Sequence, residues 1–151
     1  MEARKTQELE PLLAKMREEN PRGAFVCDLS MFCQILRLEA RQIQRMGIKE
    51  YVLLLTLQGA EESGGAQLTD SQIEKGMELL ATILEQSLRS GDVITRCSAR
   101  QFLVMLACCT YEATTKVAQR LQEKFENASE RAEVSVQYEL EELPVTGTKK
   151  V

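Results

Sequence analysis

Two segments of this chain are apolar along nearly a full strand length. They are Tyr51-Val52-Leu53-Leu54-Leu55-Thr56-Leu57 and Phe102-Leu103-Val104-Met105-Leu106. A strand with large apolar side chains on both faces has to be covered on both faces. The requirement is one sheet in the middle of the molecule with helices on either side. The second segment is also half of a hairpin. Asp92-Val93-Ile94-Thr95-Arg96 leads into a tight turn at Ser98-Ala99-Arg100-Gln101, and Phe102 to Leu106 returns from it.

The rest of the chain supplies the covering layers. Residues 1–20 read as a helix with Leu9, Leu12, Leu13 and Met16 in one stripe, and Pro11 sets where it starts or kinks. That stripe can pack on the domain or form a homodimer with a second copy. Asn20-Pro21-Arg22-Gly23 is a break, followed by the short apolar segment Ala24-Phe25-Val26-Cys27. Asp28 is placed to cap a helix to Met46 that buries Phe32, Ile35, Leu36, Ala40 and Ile43, with Gly47 as its left-handed end. Its other face carries Arg37, Arg41, Gln44 and Arg45, which suits either solvent or an acidic partner.

After the strand 51–57, Gln58 to Leu68 reads as an acidic, Gly-rich loop. Thr69 with Gln72, or Ser71 with Glu74, then forms a capping box. The helix that follows buries Ile73, Met77, Leu80, Leu84 and Leu88 and ends at Ser90-Gly91. Thr110 caps a helix to Asn127 that buries Val117, Ala118, Leu121 and Phe125. Val134, Val136, Tyr138 and Leu140 alternate as a last strand, while Glu139, Glu141, Glu142 and the tail from Pro144 read as frayed. Residues 1–21 are expected to be a connector helix, 22–143 the domain and 144–151 a flexible tail. The expected class is α/β (α+β), a ferredoxin-like βαββαβ sheet with the 28–46 helix covering its second face.

Composition closes off several functions. With 151 residues, 44% hydrophobic and 28% charged, the chain has the make-up of one soluble domain. A net charge of −4 does not favour direct nucleic-acid binding. There is no histidine, which removes Ser-His-Asp and Cys-His nucleophilic systems and mixed Cys/His zinc sites. Cys27, Cys33, Cys97, Cys108 and Cys109 lack C-x-x-C spacing and read as small buried hydrophobes in a reducing compartment. No apolar run approaches the roughly 18 residues of a membrane span, and the N-terminus is charged, so a cytoplasmic location is expected.

The β-α-β-β-α-β order is shared with RNA-recognition domains, but the strand Phe102 to Leu106 has one aromatic residue and no Gly-Phe signature. The order, with Asp92, Arg96 and the turn Ser98-Ala99-Arg100-Gln101-Phe102, resembles the GGDEF domain of bacterial diguanylate cyclases over residues 22–140. Only Phe102 keeps the identity of the family signature. The resemblance implies two glycines for phosphate approach where Ser98 and Ala99 stand. It implies metal-holding carboxylates where Arg100, Gln101 and Thr56 stand. These departures lead us to expect no enzyme activity, no cofactor and no metal. Chemistry built on Ser98, Arg100 and Cys97 would lack a general base.

Arg89-Ser90-Gly91-Asp92 matches the R-x-x-D pattern that forms an inhibitory cyclic di-GMP site in active cyclases. The resemblance therefore offers Arg89 and Asp92 as ligand-binding residues. The alternative is structural, with Asp92 capping the start of the hairpin and Arg89 a solvated helix-end cation. Gly23-Ala24-Phe25 with Cys27-Asp28, Arg37-Leu38-Glu39-Ala40-Arg41 and Arg89-Ser90-Gly91-Asp92-Val93-Ile94-Thr95-Arg96 resemble a narrower group. This is the degenerate GGDEF-like domain at the C-terminus of Firmicutes SARP-like transcriptional activators. It implies a regulatory domain that acts through a protein partner, or through a DNA-binding domain in a longer chain.

Overall fold

The computed structural model describes residues 8–18, 23–59, 67–107, 110–128 and 134–143. Among the described residues nine elements follow in order: α1 (Leu9–Glu18), β1 (Phe25–Val26), α2 (Leu29–Met46), β2 (Glu50–Gly59), α3 (Asp70–Ser87), β3 (Val93–Ser98), β4 (Gln101–Leu106), α4 (Tyr111–Ala128) and β5 (Val134–Leu143). The strands form one sheet in the order β1-β3-β4-β2-β5. β1 runs parallel to β3, and the other neighbours are antiparallel. β4 thus lies between β2 and β3, which gives the split βαβ arrangement expected from the element order.

Alternate residues of each strand face opposite layers. Leu53, Leu55 and Leu57 of β2 and Phe102, Val104 and Leu106 of β4 pack with Met77, Leu80 and Leu84 of α3 and Ala118, Leu121 and Phe125 of α4. α3 comes so close to β2 that a Cβ on Gly76 would lie 2.9 Å from Leu57 Cδ2. On the second face, Val52, Val93, Met105 and Leu143 pack with Phe32 and Ile43 of α2. This is why both apolar strands carry large side chains on successive residues.

The starts of α2, α3 and α4 and the end of α2 follow the caps read from the sequence, while α3 ends at Ser87, before the expected Ser90-Gly91. Met31 N donates to Asp28 Oδ1 at 2.8 Å, and Gly47 closes α2 with φ 72°. Gln72 N donates to Thr69 Oγ1 at 3.1 Å and Thr69 N to Gln72 Oε1 at 2.8 Å, completing the capping box of α3. Ala113 N donates to Thr110 Oγ1 at 3.1 Å in α4. Pro11 is the third residue of α1, in the first turn, where its missing N–H has no helical partner to lose.

Four expectations are corrected. Phe25-Val26 is a strand, added to the sheet edge by Phe25 N donating to Asp92 O at 2.8 Å and Cys27 N to Ile94 O at 3.0 Å. Glu139, Glu141 and Glu142 are not frayed, because β5 stays in register with β2 as far as Leu143 opposite Glu50. α2 covers only part of the second face: Gln137, Glu139 and Glu141 are exposed, and their β2 neighbour Leu54 is half-buried. Cys33 is exposed and Cys27 and Cys97 are half-buried, with Cys27 packing at the margin of the core under α2, so none of the three is fully buried. Cys108, Cys109, residues 1–7 and the tail after 143 lie outside the described residues.

Candidate functional site

The residues singled out from the sequence fall at the two ends of one hairpin. A six-residue strand separates them by about 20 Å. Arg89 and Asp92 lie where α3 passes into β3, and Ser98 to Gln101 form the tip.

At the tip, Ala99 and Arg100 make a two-residue turn between Ser98 and Gln101, which pair across it. A register shift between Arg96 and Ser98 bulges the strand just before the turn. Arg96 holds the turn from outside, its Nη2 donating to Ala99 O at 2.8 Å and its Nε to Ser98 O at 3.3 Å. Leu57 N donates to Arg100 O at 2.8 Å and ties the turn to β2. Phe102 anchors the return strand in the core.

The polar side chains at the tip form a neutral chain. Ser98 Oγ donates to Gln101 Oε1 at 3.0 Å, and Gln101 Nε2 donates to Thr56 Oγ1 at 3.1 Å. Arg100 N donates to Ser98 Oγ at 3.3 Å. The GGDEF resemblance implies a metal site at Thr56 and Gln101, and the structure brings these two side chains together. A divalent cation requires carboxylate or other strongly donating oxygens. These two side chains carry no charge and bond to each other, so they do not fit that ion. Among the described residues, no group of three His, Cys, Asp or Glu side chains is placed to hold a metal. Burial raises the Cys97 thiol above its ordinary range. Burial, with Asp28 adding to it, does the same for Cys27, which keeps both thiols protonated near neutrality.

At the other end, Asp92 is buried and both carboxylate oxygens are engaged. Oδ2 accepts from Arg89 N at 2.8 Å, and Oδ1 accepts from Ala107 N at 3.0 Å. Asp92 N donates to Arg89 O at 3.0 Å. One residue thereby joins the end of α3, the start of β3 and the end of β4. Arg89 lies outside it, with 65% of its side chain exposed; Nη2 donates to Ala107 O at 3.0 Å and Nε stands 3.9 Å from Asp92 Oδ2.

A cavity of about 300 Å³ opens beside Arg89, between the end of α3 and α4, with Lys116 and Arg120 on its wall. Sequence reading passed over these two cations. Their i,i+4 spacing on one helix was the available signal, but nothing in the sequence said which way α4 turns that face. Lys124, one turn further on, donates from Nζ to Ser87 Oγ at 2.9 Å.

No protein-family model and no curated protein matches this sequence. Solved structures do share its fold. A diguanylate cyclase (DGC) protein from Thermotoga maritima aligns with TM-score 0.64 at 12% identity, covering 83% of this chain and 87% of that one. The diguanylate cyclase SiaD, in complex with its activator SiaC from Pseudomonas aeruginosa, aligns with TM-score 0.63 at 20% identity. That match covers 92% of this chain and 56% of the SiaD chain. The chain therefore has the GGDEF-like fold of diguanylate cyclases.

This corrects the expectation that the chain is no enzyme. The two solved structures named above are diguanylate cyclases, which are enzymes. That expectation rests on side-chain types at a few turn positions, whereas the sheet, the hairpin and its flanking helices share the fold of those enzymes.

The geometry at Asp92 makes a quantitative prediction. Asp92→Ala leaves the N–H groups of Arg89 and Ala107 without their acceptor and is expected to cost about 2–4 kcal/mol of stability in chemical denaturation. Arg89→Ala removes a largely exposed guanidinium with its bond to Ala107 O and its long contact to Asp92, and is expected to cost less than about 1 kcal/mol. Equal losses would show that the carboxylate does not hold the hairpin.

Proposed function

We propose that this chain is a GGDEF-type signalling domain that works through contact with a protein partner, within a cytoplasmic bacterial transcription regulator. The observation that carries this reading is an apolar surface at the β1 edge and the start of α2. Phe25 and Val26 are 50% and 54% exposed, and Leu29 and Met31 beside them are also open. An edge strand with exposed apolar side chains is the kind of surface that partners cover. SiaD, which has this fold, is found in complex with a protein activator, and that supports partner contact as the mode of action. The resemblance of residues 23–28, 37–41 and 89–96 to the SARP-like domain supports the transcriptional setting. In this reading residues 22–143 are the signalling unit, and 1–21 connect it to a DNA-binding part or bring two copies together.

The test is site-specific photo-crosslinking from position 25 in the cells that make the protein, combined with transcript profiling. One defined crosslinked protein is expected, and Val26→Asp is expected to abolish both the crosslink and the transcriptional effect while the melting temperature stays the same. A Val26→Asp protein that keeps its full transcriptional effect would contradict the reading.

The cavity beside Arg89 favours a second reading, a receptor for cyclic di-GMP or another nucleotide. Three cations on one small cavity suit phosphate oxygens. Because Asp92 is fully engaged by backbone N–H groups, recognition in this reading falls to Arg89, Lys116 and Arg120 rather than to the Arg–Asp pair alone. Calorimetric titration with cyclic di-GMP is expected to show saturable binding that Arg89→Ala and Arg120→Ala each weaken. No heat at high ligand concentration would overturn it.

A further inference from the structure

The second face of the sheet is only half covered, and its two halves carry opposite charge. α2 lies over Val52, Val93, Met105 and Leu143, leaving the strip along β2 and β5 open. The cross-strand pairs Val52–Glu141, Leu54–Glu139 and Thr56–Gln137 place two exposed glutamates in a row on that strip, beside half-buried Leu54. The outward surface of α2 carries exposed Arg37, Arg41 and Arg45 at steps of four, with Leu38 56% exposed among them. Among the described residues, none of these five charges has an ion pair within the chain.

We propose that two copies of this chain associate through this face, each laying the crest of its α2 on the open β2–β5 strip of the other. The spacings agree. Arginines four apart on a helix repeat every 6 Å or so, at about 1.5 Å per residue. Glutamates two apart on a strand repeat at about 6.8 Å. Two successive arginines therefore meet two successive glutamates without stretching either element, and Leu38 comes down on Leu54. Because basic helix and acidic strip belong to the same face, a single twofold axis satisfies both at once and the contact closes as a dimer. A second copy fits better than an unrelated partner, since the charges this face lacks on one half are the ones it carries on the other. This contact is separate from the β1 edge and from α1.

Charge reversal tests the proposal on the full chain. One variant carries Arg41→Glu with Arg45→Glu, and the other carries Glu139→Arg with Glu141→Arg. All four positions are exposed, and circular dichroism melts check that both variants fold. Sedimentation velocity of the unaltered protein is expected to show a dimer that weakens as salt rises. Each variant alone is expected to dissociate at least about tenfold more readily. An equimolar mixture of the two variants is expected to recover the dimer, because every reversed helix then meets a reversed strip. A monomeric unaltered protein at millimolar concentration would overturn the proposal. So would a dimer indifferent to both reversals but lost in Leu9→Asp with Leu12→Asp, or a mixture that fails to recover.

Discussion

The structure depends on a single carboxylate. Asp92 accepts from the backbone of Arg89 at the end of α3 and of Ala107 at the end of β4, while its own carbonyl oxygen receives Phe25 N from β1. Three stretches of chain, β1, the α3–β3 turn and the end of β4, meet at one buried residue. A buried carboxylate is tolerable only when its oxygens are bonded, and here backbone N–H groups do the bonding. With the hairpin fixed at that end, Phe102, Val104 and Leu106 are held in register with Leu55, Leu53 and Tyr51 of β2, and the core between sheet and helices can close.

The same constraint divides the functional surfaces. At the tip, Thr56, Gln101 and Ser98 satisfy one another, so that end of the hairpin is stabilised without an ion. At the Asp92 end the carboxylate is withdrawn into the fold, and Arg89 is left beside Lys116 and Arg120 over a small cavity. The pattern R-x-x-D therefore has a structural half and a surface half. The remaining accessible chemistry lies on the outside of the sheet, in the apolar β1 edge and in the opposed charges of α2 and β5. In the proposed reading these are the surfaces that meet other proteins.

Much of this was legible in the sequence because it rests on local rules. Apolar runs placed β2 and β4, and Asp28, Thr69 and Thr110 placed three helix starts, since a cap is read within four residues. Three kinds of feature were not legible. β1 is two residues long, too short for any periodicity, and exists only because Asp92 and Ile94 offer it carbonyl oxygens. The full length of β5 is set by pairing with β2, which overrides the poor strand preference of Glu139, Glu141 and Glu142. The gathering of Arg89, Lys116 and Arg120 depends on how α4 is rotated about its axis. Side-chain identity at a few turn positions does not by itself decide whether the chain is an enzyme, for a related reason: the scaffold that carries those positions is set by packing across the whole sheet.

The most direct test of this account is residue-resolved amide hydrogen exchange of the full chain by NMR. If the Asp92 carboxylate is the joint described, the amides of Arg89 and Ala107 exchange as slowly as those of Val104 and Leu106 in β4, opening only with the whole domain. Exchange of both amides at the rate of exposed loops would contradict it.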